Sequence, residues 1–241
     1  MKAMILAAGL GTRLKELTAN KPKALVEING KPLIAYVIEK LVRSEFTEIV
    51  VNVHHFADQL TSYLKSNSFG ATIHISDEKD QLLDTGGGIF NARQFLSGDE
   101  PFLVHNVDII SDINLQKLYS YHMANSPLAT LAVANRDSSR KFLFSKSQRL
   151  IGWKNLKTNE QIKPSKENVA KMLAFSGIHV INPLIFDLIA KSGPFSIVEV
   201  YLSLCPNFSI LGFDTSAYFT LDVGKVDSLA EATHFLQKPQ G

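Results

Sequence analysis

Residues 3–7 (AMILA) form a short, wholly apolar run that ends at a glycine-rich segment, and no other segment limits the fold as strongly. Apolar residues at every position are typical of a strand in a parallel sheet that is covered on both faces. We therefore predict that this run is a central strand with a loop at its carboxyl end. The run is too short to export the chain, and no later segment approaches the roughly 20 apolar residues that a membrane-spanning helix requires.

Helical and strand patterns alternate along the first half of the chain. Apolar residues at three- and four-residue spacing predict helices, and short apolar runs predict strands. The predicted strands that follow the first cover residues 49–53, 71–75 and 101–104, and the predicted helices between them cover residues 33–42, 57–65 and 86–96. The order βαβαβαβ predicts a mostly parallel sheet with right-handed crossovers.

The second half of the chain departs from this alternation. The stretch at about residues 136–171 is polar and basic, with strand-like pieces at residues 142–144 and 150–153 that we expect to form a hairpin over the sheet. We predict one domain over residues 1–241, with this stretch as its only insertion. The other predicted elements are a helix from 113 to 119 capped by Asp112, strands at 128–133, 174–181, 208–213 and 218–221, a helix opened by Pro183 and a closing helix at 226–236.

Composition excludes several classes of protein. Hydrophobic residues make up 45% and charged residues 20% of the 241 residues, so the chain is neither disordered nor collagen-like. The 25 basic and 23 acidic residues leave a net charge of +2 without a long basic run, which disfavours a nucleic-acid partner. The single cysteine, Cys205, lies in an apolar stretch and cannot form an intrachain disulfide. We therefore expect a cytoplasmic protein with neither a nucleic-acid nor a membrane partner.

The loop after the first predicted strand is the first candidate binding element. It reads LAAGLGTRL from Leu6, and ligands of parallel sheets bind at the carboxyl ends of the strands. Its amides can hold phosphate oxygens while Arg13 supplies a bidentate cation. The dinucleotide fingerprint would need glycine where Leu14 stands, and the ATPase loop would need Gly-Lys-Ser/Thr where Gly11, Thr12 and Arg13 stand. The loop thus predicts a different kind of phosphate site, with a tight turn and an incidental arginine as the alternative.

Further segments supply charge and an unusual run of glycines. Lys23 lies within reach of the loop, and the run TGGG at residues 85–88 places three glycines at a helix start. Such glycines favour close approach of a ligand base or ribose, with a helix-packing turn as the alternative.

Asp108 and Asp222 each follow an apolar strand, where a magnesium ligand belongs, and helix capping is the alternative for Asp108. Together these residues predict a metal-assisted nucleotide site.

This constellation resembles the sugar-1-phosphate nucleotidyltransferases, also called nucleotide-sugar pyrophosphorylases. The matching motifs span nearly the whole chain and are LAAGLGTRL from Leu6, Pro22 with Lys23, TGGGIF from Thr85, NVD from Asn106, FSGI from Phe175 and LDVG from Leu221. The chain is most similar to the N-acetylmuramate-1-phosphate uridylyltransferase branch, followed by the mannose-1-phosphate guanylyltransferases. The resemblance implies an α/β, Rossmann-like nucleotidyltransferase fold: a mostly parallel central sheet flanked by helices, with a small hairpin insertion over the sugar side.

The resemblance also implies roles for individual positions. The amides that would hold the triphosphate belong to residues 8–12, including Ala8, Gly9, Gly11 and Thr12. Arg13 would bind the leaving pyrophosphate, and Lys23 would stabilise the phosphate at which bonds change. Asp108 and Asp222 would share Mg²⁺. Glu78 and Gly86 would lie near the base and Gly177 near the sugar, and Thr85 and Asn106 complete the substrate-binding set.

The chain departs from the family pattern at two places. Many relatives have glycine where Val107 stands, and many carry a Glu-Lys-Pro motif in the insertion whose lysine grips the sugar phosphate. Arg140 and Lys141 are candidate substitutes for that lysine, although a solvated basic loop also explains them.

The implied reaction is nucleotidyl transfer from a nucleoside triphosphate to a sugar 1-phosphate, which gives a nucleotide-sugar and pyrophosphate. A nucleotide-sugar-dependent glycosyltransferase is one alternative, but such proteins usually pair two acids at the metal, and Ile109 and Ile110 follow Asp108 here. A non-catalytic nucleotide-sugar-binding protein is the other. The resemblance selects neither the sugar nor the base, and we expect a monomer or a small homo-oligomer.

Overall fold

The structure is a computed structural model that describes residues 1–224 and 227–237. The fourteen strands of these residues are β1 (Lys2–Leu6), β2 (Glu27–Ile28), β3 (Lys31–Pro32), β4 (Glu48–Val53), β5 (Thr72–Asp77), β6 (Phe102–Asn106), β7 (Ile109–Ser111), β8 (Ala129–Ala134), β9 (Arg140–Phe144), β10 (Leu150–Asn155), β11 (Gln161–Ile162), β12 (Lys171–Ile181), β13 (Ile210–Asp214) and β14 (Thr220–Asp222). The α-helices are α1 (Leu33–Arg43), α2 (Ala57–Ser66), α3 (Asp84–Asn91), α4 (Arg93–Leu96), α5 (Leu115–Asn125), α6 (Ile185–Leu188), α7 (Ile197–Leu204) and α8 (Asp227–Leu236). The predicted start of the closing helix, Val226, lies outside the described residues.

The predicted parallel sheet is confirmed in its central part. β6, β1, β4 and β5 lie side by side in that order, and each pair is parallel. β12 then runs antiparallel to β6, and β8 joins β12 and pairs in parallel with β13. The carboxyl ends of β1, β4, β5 and β6 therefore meet at one edge of the sheet.

Helices cover both faces of the sheet, as the α/β prediction requires. Because side chains alternate along a strand, Ala3 and Ile5 of β1 enter one core while Met4 enters the other. The first core includes residues of α1, α2, α5 and α8, and the second includes residues of α3, α4, α6 and α7. Cys205 is buried in the second core, in agreement with a packing role.

The predicted hairpin of the insertion is present but does not lie over the sheet. β9 pairs antiparallel with β10, and it also pairs with residues 171–173 at the start of β12. The hairpin therefore extends the sheet at its edge. Phe142 and Phe144 explain this placement, since both are buried in the second core, where an edge-on hairpin brings them.

Asp112 does not cap helix α5, contrary to the sequence-based prediction. Asn114 is the N-cap, and its Oδ1 accepts a hydrogen bond from the Lys117 N–H at 2.8 Å. Asp112 Oδ1 instead accepts from the Phe219 N–H at 2.7 Å, which supports the two-stranded ribbon of β7 and β14. Within the described ranges, no helix combines the length and apolar character needed to span a membrane.

Candidate active site

An open cleft of about 270 Å³ lies at the carboxyl ends of the central parallel strands. The predicted site residues that line it are Ala8, Gly9, Gly11, Thr12, Arg13, Lys23, Glu78, Thr85, Asn106 and Asp108. Ala8, Gly9 and Gly11 follow β1, Glu78 follows β5, and Asn106 ends β6, which Asp108 follows. Thr85 belongs to α3, and the others belong to the 3₁₀ helices at Thr12–Thr18 and Lys23–Leu25. Parallel pairing thus brings together side chains that are distant in the sequence.

The loop after β1 turns back on itself at Gly11. Gly11 has a φ of 68°, and a Cβ atom there would lie 2.9 Å from Thr18 Cγ2 and 3.1 Å from Lys23 Cβ. Thr18 Oγ1 closes the turn because it donates to the Gly11 carbonyl oxygen at 3.1 Å. Only glycine combines this backbone conformation with so close an approach, so Gly11 lets Lys23 pack against the loop.

Two cations and two carboxylates form a cluster on one side of the cleft. Lys23 Nζ donates to Asp108 Oδ2, and Arg13 Nη2 lies 3.9 Å from the same oxygen. Arg13 Nη1 lies 3.6 Å from Asp222 Oδ2. The Lys23 and Asp108 side chains are 8% and 17% exposed, whereas those of Arg13 and Asp222 are 54% and 44% exposed. The Lys23–Asp108 pair is therefore mostly buried, whereas the Arg13–Asp222 pair faces solvent.

The two carboxylates approach the same guanidinium, that of Arg13, because β7 and β14 form an antiparallel ribbon. The Val223 N–H donates to the Asp108 carbonyl oxygen at 2.9 Å, and the Gly224 N–H donates to Asp222 Oδ1 at 2.7 Å. A Cβ atom on Gly224 would lie 2.5 Å from Arg13 Nη2. The missing side chain at Gly224 thus leaves the space that the guanidinium of Arg13 occupies.

Glu78 lies on the other side of the cleft and is almost fully buried. Its Oε1 accepts from Asn52 Nδ2 at 2.7 Å, and its Oε2 accepts from the Leu83 N–H at 3.3 Å. Burial raises the pKa of the Glu78 carboxyl, while these two hydrogen bonds oppose the rise. Gly88 makes room for the pair, since a Cβ atom there would lie 2.7 Å from Glu78 Oε1.

Gly86 and Gly177 do not line the cleft. The Gly86 N–H donates to the Phe195 carbonyl oxygen at 2.8 Å, and a Cβ atom would lie 2.5 Å from the Phe195 ring. The helix-packing alternative therefore explains Gly86. Gly177 has a φ of 74° and stands behind Asn106, whose Nδ2 would lie 3.0 Å from a Cβ atom at that position. Gly177 therefore lies next to Asn106, a residue of the cleft lining, but does not line the cleft itself.

Some predicted ligand-facing groups already have partners in the protein. The Ala8 N–H donates to Asn52 Oδ1 at 3.3 Å, so this amide is used within the chain. Thr85 Oγ1 accepts from the Ile197 N–H at 3.1 Å, which ties the cleft rim to the start of α7. Gly9, Gly11 and Thr12 of the loop line the cleft.

The two departures from the family pattern have different outcomes. Val107 is buried at the cleft without a positive φ, so the backbone at this position does not require glycine. Lys141 is buried in β9, and its Nζ donates to the Arg136 carbonyl oxygen. Neither Arg140 nor Lys141 lines the cleft.

Asn52 is the site residue that the sequence analysis missed. It is 3% exposed, lines the cleft and contacts both the loop after β1 and Glu78. The signal in the sequence was an amide side chain in the otherwise apolar run IVVNV at the carboxyl end of a buried strand. Buried polar side chains need hydrogen-bond partners, so this position already indicated a specific tertiary contact.

The histidines contribute no metal cluster among the residues that the structure describes. His54 Nδ1 lies 2.7 Å from the Glu78 carbonyl oxygen, which agrees with a structural role. Burial lowers the pKa of His105 to about 3 and that of His122 to about 4, so both are neutral near pH 7.

A parallel α/β sheet with a glycine-rich loop, paired cations and edge carboxylates defines a nucleotide-binding class of protein. The chain belongs to the nucleotidyl transferase family, whose sequence model matches residues 2–239. The resemblance found in the sequence is thereby confirmed.

Two curated relatives carry the names of the two branches that the motifs resemble. An N-acetylmuramate alpha-1-phosphate uridylyltransferase of Caulobacter vibrioides is 48% identical over 111 residues, which cover 45% of this chain and 46% of the relative. A mannose-1-phosphate guanyltransferase of Debaryomyces hansenii is 32% identical over 97% of this chain and 64% of its own length. The matches thus span about half to two thirds of these relatives.

A solved structure confirms the fold. The UDP-glucose pyrophosphorylase from Acinetobacter baumanii superposes with a TM-score of 0.80 at 17% identity, over 99% of this chain and 94% of that chain. At this level of identity the likeness concerns the fold alone.

Proposed function

We propose that this protein transfers a nucleotidyl group from a nucleoside triphosphate to a sugar 1-phosphate and releases pyrophosphate. One observation carries the proposal: Arg13, Lys23 and Asp108 line one cleft beside the glycine-rich loop, and Asp222 approaches the same guanidinium of Arg13 at 3.6 Å. Family membership and the names of the curated relatives support the same reaction.

The proposed step is one displacement at the α-phosphorus of the triphosphate. A phosphate oxygen of the sugar 1-phosphate forms a bond to the α-phosphorus, and the bond from that phosphorus to the bridging oxygen of the β-phosphate breaks. The nucleophile is already an anion near neutrality, because the second pKa of a phosphate monoester is about 6. The reaction therefore needs no general base, and no histidine is among the described residues that line the cleft.

The cations of the site then offset the repulsion between the two anionic substrates, the triphosphate and the sugar 1-phosphate. Lys23 is held in the cleft wall by Asp108, so its ammonium group is fixed where it can stabilise charge on the α-phosphate. Arg13 is half-exposed and carries a planar fork of donors, which suits the oxygens of a leaving pyrophosphate. The loop at residues 8–12 would hold the triphosphate between them.

The donor set at this site fits Mg²⁺. Asp108 and Asp222 both approach Arg13, and Mg²⁺ usually takes one or two protein carboxylates together with water and substrate phosphates. A bound Mg²⁺ would neutralise phosphate charge and help to orient the triphosphate. Asp108 and Asp222 are the residues that would hold it.

The test is pyrophosphate release from a matrix of the common nucleoside triphosphates and a panel of sugar 1-phosphates. We expect release that requires both substrates and Mg²⁺ and stops when EDTA is added. The active pair identifies the base and the sugar.

The same assay separates the two alternatives. A nucleotide-sugar-dependent glycosyltransferase would release a nucleoside diphosphate or monophosphate from a nucleotide-sugar, and a binding protein would bind nucleotide-sugar without turnover. Lack of pyrophosphate release from every pair, with a folded protein, would contradict the proposal.

A further inference from the structure

Asn52 lies between the two sides of the cleft. It occupies the position in β4 that is paired with Leu6 of β1 and with Ser76 of β5. Its Oδ1 accepts from the N–H groups of Ala7 at 2.7 Å and Ala8 at 3.3 Å, the first two residues after β1. Its Nδ2 donates to Glu78 Oε1, beyond the end of β5. One buried amide thus connects two loops that are far apart in the sequence.

The chemistry of the partners fixes the orientation of this amide. Backbone N–H groups can only donate, so the N–H groups of Ala7 and Ala8 need an acceptor on the Asn52 side chain. The Asn52 oxygen must therefore face Ala7 and Ala8, and its nitrogen must face Glu78. A valine at this position would suit the apolar strand but would leave all three partners without their hydrogen bonds.

We propose that Asn52 is a positioning residue that sets the phosphate-side loop relative to the base-side carboxylate of Glu78. The inference rests on the proposed function, which puts the loop at the phosphates, and on the family resemblance, which implies that Glu78 lies near the base. Asn52 acts through these neighbours and does not itself take part in bond making.

The substitution Asn52→Asp tests this role with almost no change in shape. The new carboxylate keeps an acceptor for Ala7 and Ala8 but loses the donor to Glu78 and places two acidic groups side by side. We expect the affinity for the preferred nucleoside triphosphate to fall about tenfold or more, as measured by calorimetry. Discrimination among the four bases should fall as well, whereas binding of inorganic tripolyphosphate should change less.

A second substitution makes the test specific to the Asn52 to Glu78 hydrogen bond. In a Glu78→Gln background, the new amide nitrogen can donate to an acid at position 52, so the hydrogen bond is restored with its direction reversed. We therefore expect Asn52→Asp to cost about tenfold in affinity beside Glu78 and less than about threefold in the Glu78→Gln background.

Asn91→Asp is the matched control. The Asn91 Nδ2 donates to Ser76 Oγ at 3.1 Å and to the Asp77 carbonyl oxygen at 3.2 Å. Both acceptors lie at the end of β5, just before Glu78, and Asn91 does not line the cleft. We expect this variant to bind nucleotide as the wild type does. Thermal unfolding of each variant shows what fraction is folded.

The outcomes separate this inference from the proposed function. An equal loss of affinity in both backgrounds, or a loss that only follows the folded fraction, would overturn the positioning role. Coupled nucleotide binding without pyrophosphate release would retain the positioning role and overturn the proposed reaction. A wild-type protein that binds no nucleotide would overturn both.

Discussion

The N–H of Val223 donates to the carbonyl oxygen of Asp108 at 2.9 Å. This hydrogen bond joins the segment after β6 to the residue after β14, and it holds the backbone next to Asp222 against that of Asp108. Arg13 then reaches both carboxylates from the opposite side. The charged cluster therefore depends on a long-range backbone contact as much as on the side chains themselves.

Asp108→Asn should lower turnover far more than it lowers the folded fraction, which thermal unfolding measures, because the change also leaves the buried Lys23 without its closest carboxylate. The amide keeps the volume of the side chain but loses the charge that faces Lys23 and Arg13 and would hold Mg²⁺. We expect pyrophosphate release to fall by at least about a hundredfold. Asp112→Asn is the control, because Asp112 supports the same ribbon through the Phe219 N–H, away from the cleft. Unchanged release from the Asp108 variant would contradict the metal assignment.

Gly224→Ala should impair the site through Arg13. The added methyl group would lie 2.5 Å from Arg13 Nη2 and 2.6 Å from Asp222 Oδ1, so the guanidinium has to move. We expect kcat/KM to fall about tenfold with little loss of stability, because Arg13 is half-exposed. In an Arg13→Ala background the same change should cost clearly less, because only the close approach to Asp222 Oδ1 remains. Additive losses in the double variant would show that Gly224 acts by another route.

Lys23→Met should destabilise the protein more than an equivalent change at the surface. The substitution leaves the Asp108 carboxylate, which is only 17% exposed, without its closest cation. We expect the free energy of unfolding to fall by about 3 kcal/mol in urea denaturation. Lys31→Met is the control, because the Lys31 and Glu39 side chains are 35% and 38% exposed and their ion pair should contribute less than about 1 kcal/mol. Equal losses would show that the Lys23 pair is not an interior one.

Local patterns in the sequence predicted the strands of the central sheet and, in the cleft, the glycine-rich loop, Lys23 and Asp108, whereas Glu78 was expected only from the family resemblance. The run at residues 3–7 is apolar throughout because β1 is covered on both faces, and that cause acts within a few residues. Asn52 was missed because its role appears only when β4 lies between β1 and β5. Asp112 was assigned as a cap because helix starts favour aspartate, but a distant N–H, that of Phe219, competes for its carboxylate.

The roles of the glycines likewise have two kinds of cause: a turn formed by neighbouring residues, or a contact with residues far away in the sequence. Gly11 was correctly placed at the cleft because a turn after a buried strand is a local feature. The run of glycines at residues 86–88 left a ligand and a helix-packing turn as alternatives, and in the fold Gly86 packs against Phe195 and Gly88 against Glu78. A sequence pattern reveals that something approaches the backbone closely, but the fold decides whether it is a ligand or another part of the chain.

Lys40 should make stability depend on pH above neutrality. Burial lowers the pKa of Lys40 to about 7, and the nearby Asp112 carboxylate opposes this shift. The Nζ of Lys40 donates to the Ser111 carbonyl oxygen. An unfolded lysine has a pKa of about 10.4, so between pH 7 and pH 10 the unfolded chain holds a proton that the folded chain does not. Stability from this group must therefore rise with pH across that window.

The difference between the wild type and Lys40→Met isolates this contribution. From pH 7 to pH 9, we expect the wild type to gain about 1 to 2 kcal/mol in free energy of unfolding relative to the variant, as measured by urea denaturation at both pH values. Lys2→Met is the control, because Lys2 Nζ also donates to a backbone carbonyl oxygen, that of Ser97, but in an exposed hydrogen bond. If the difference between the wild type and the Lys40 variant stayed constant or shrank with pH, Lys40 would have to remain protonated in the fold, with its charge stabilised by Asp112 and Ser111.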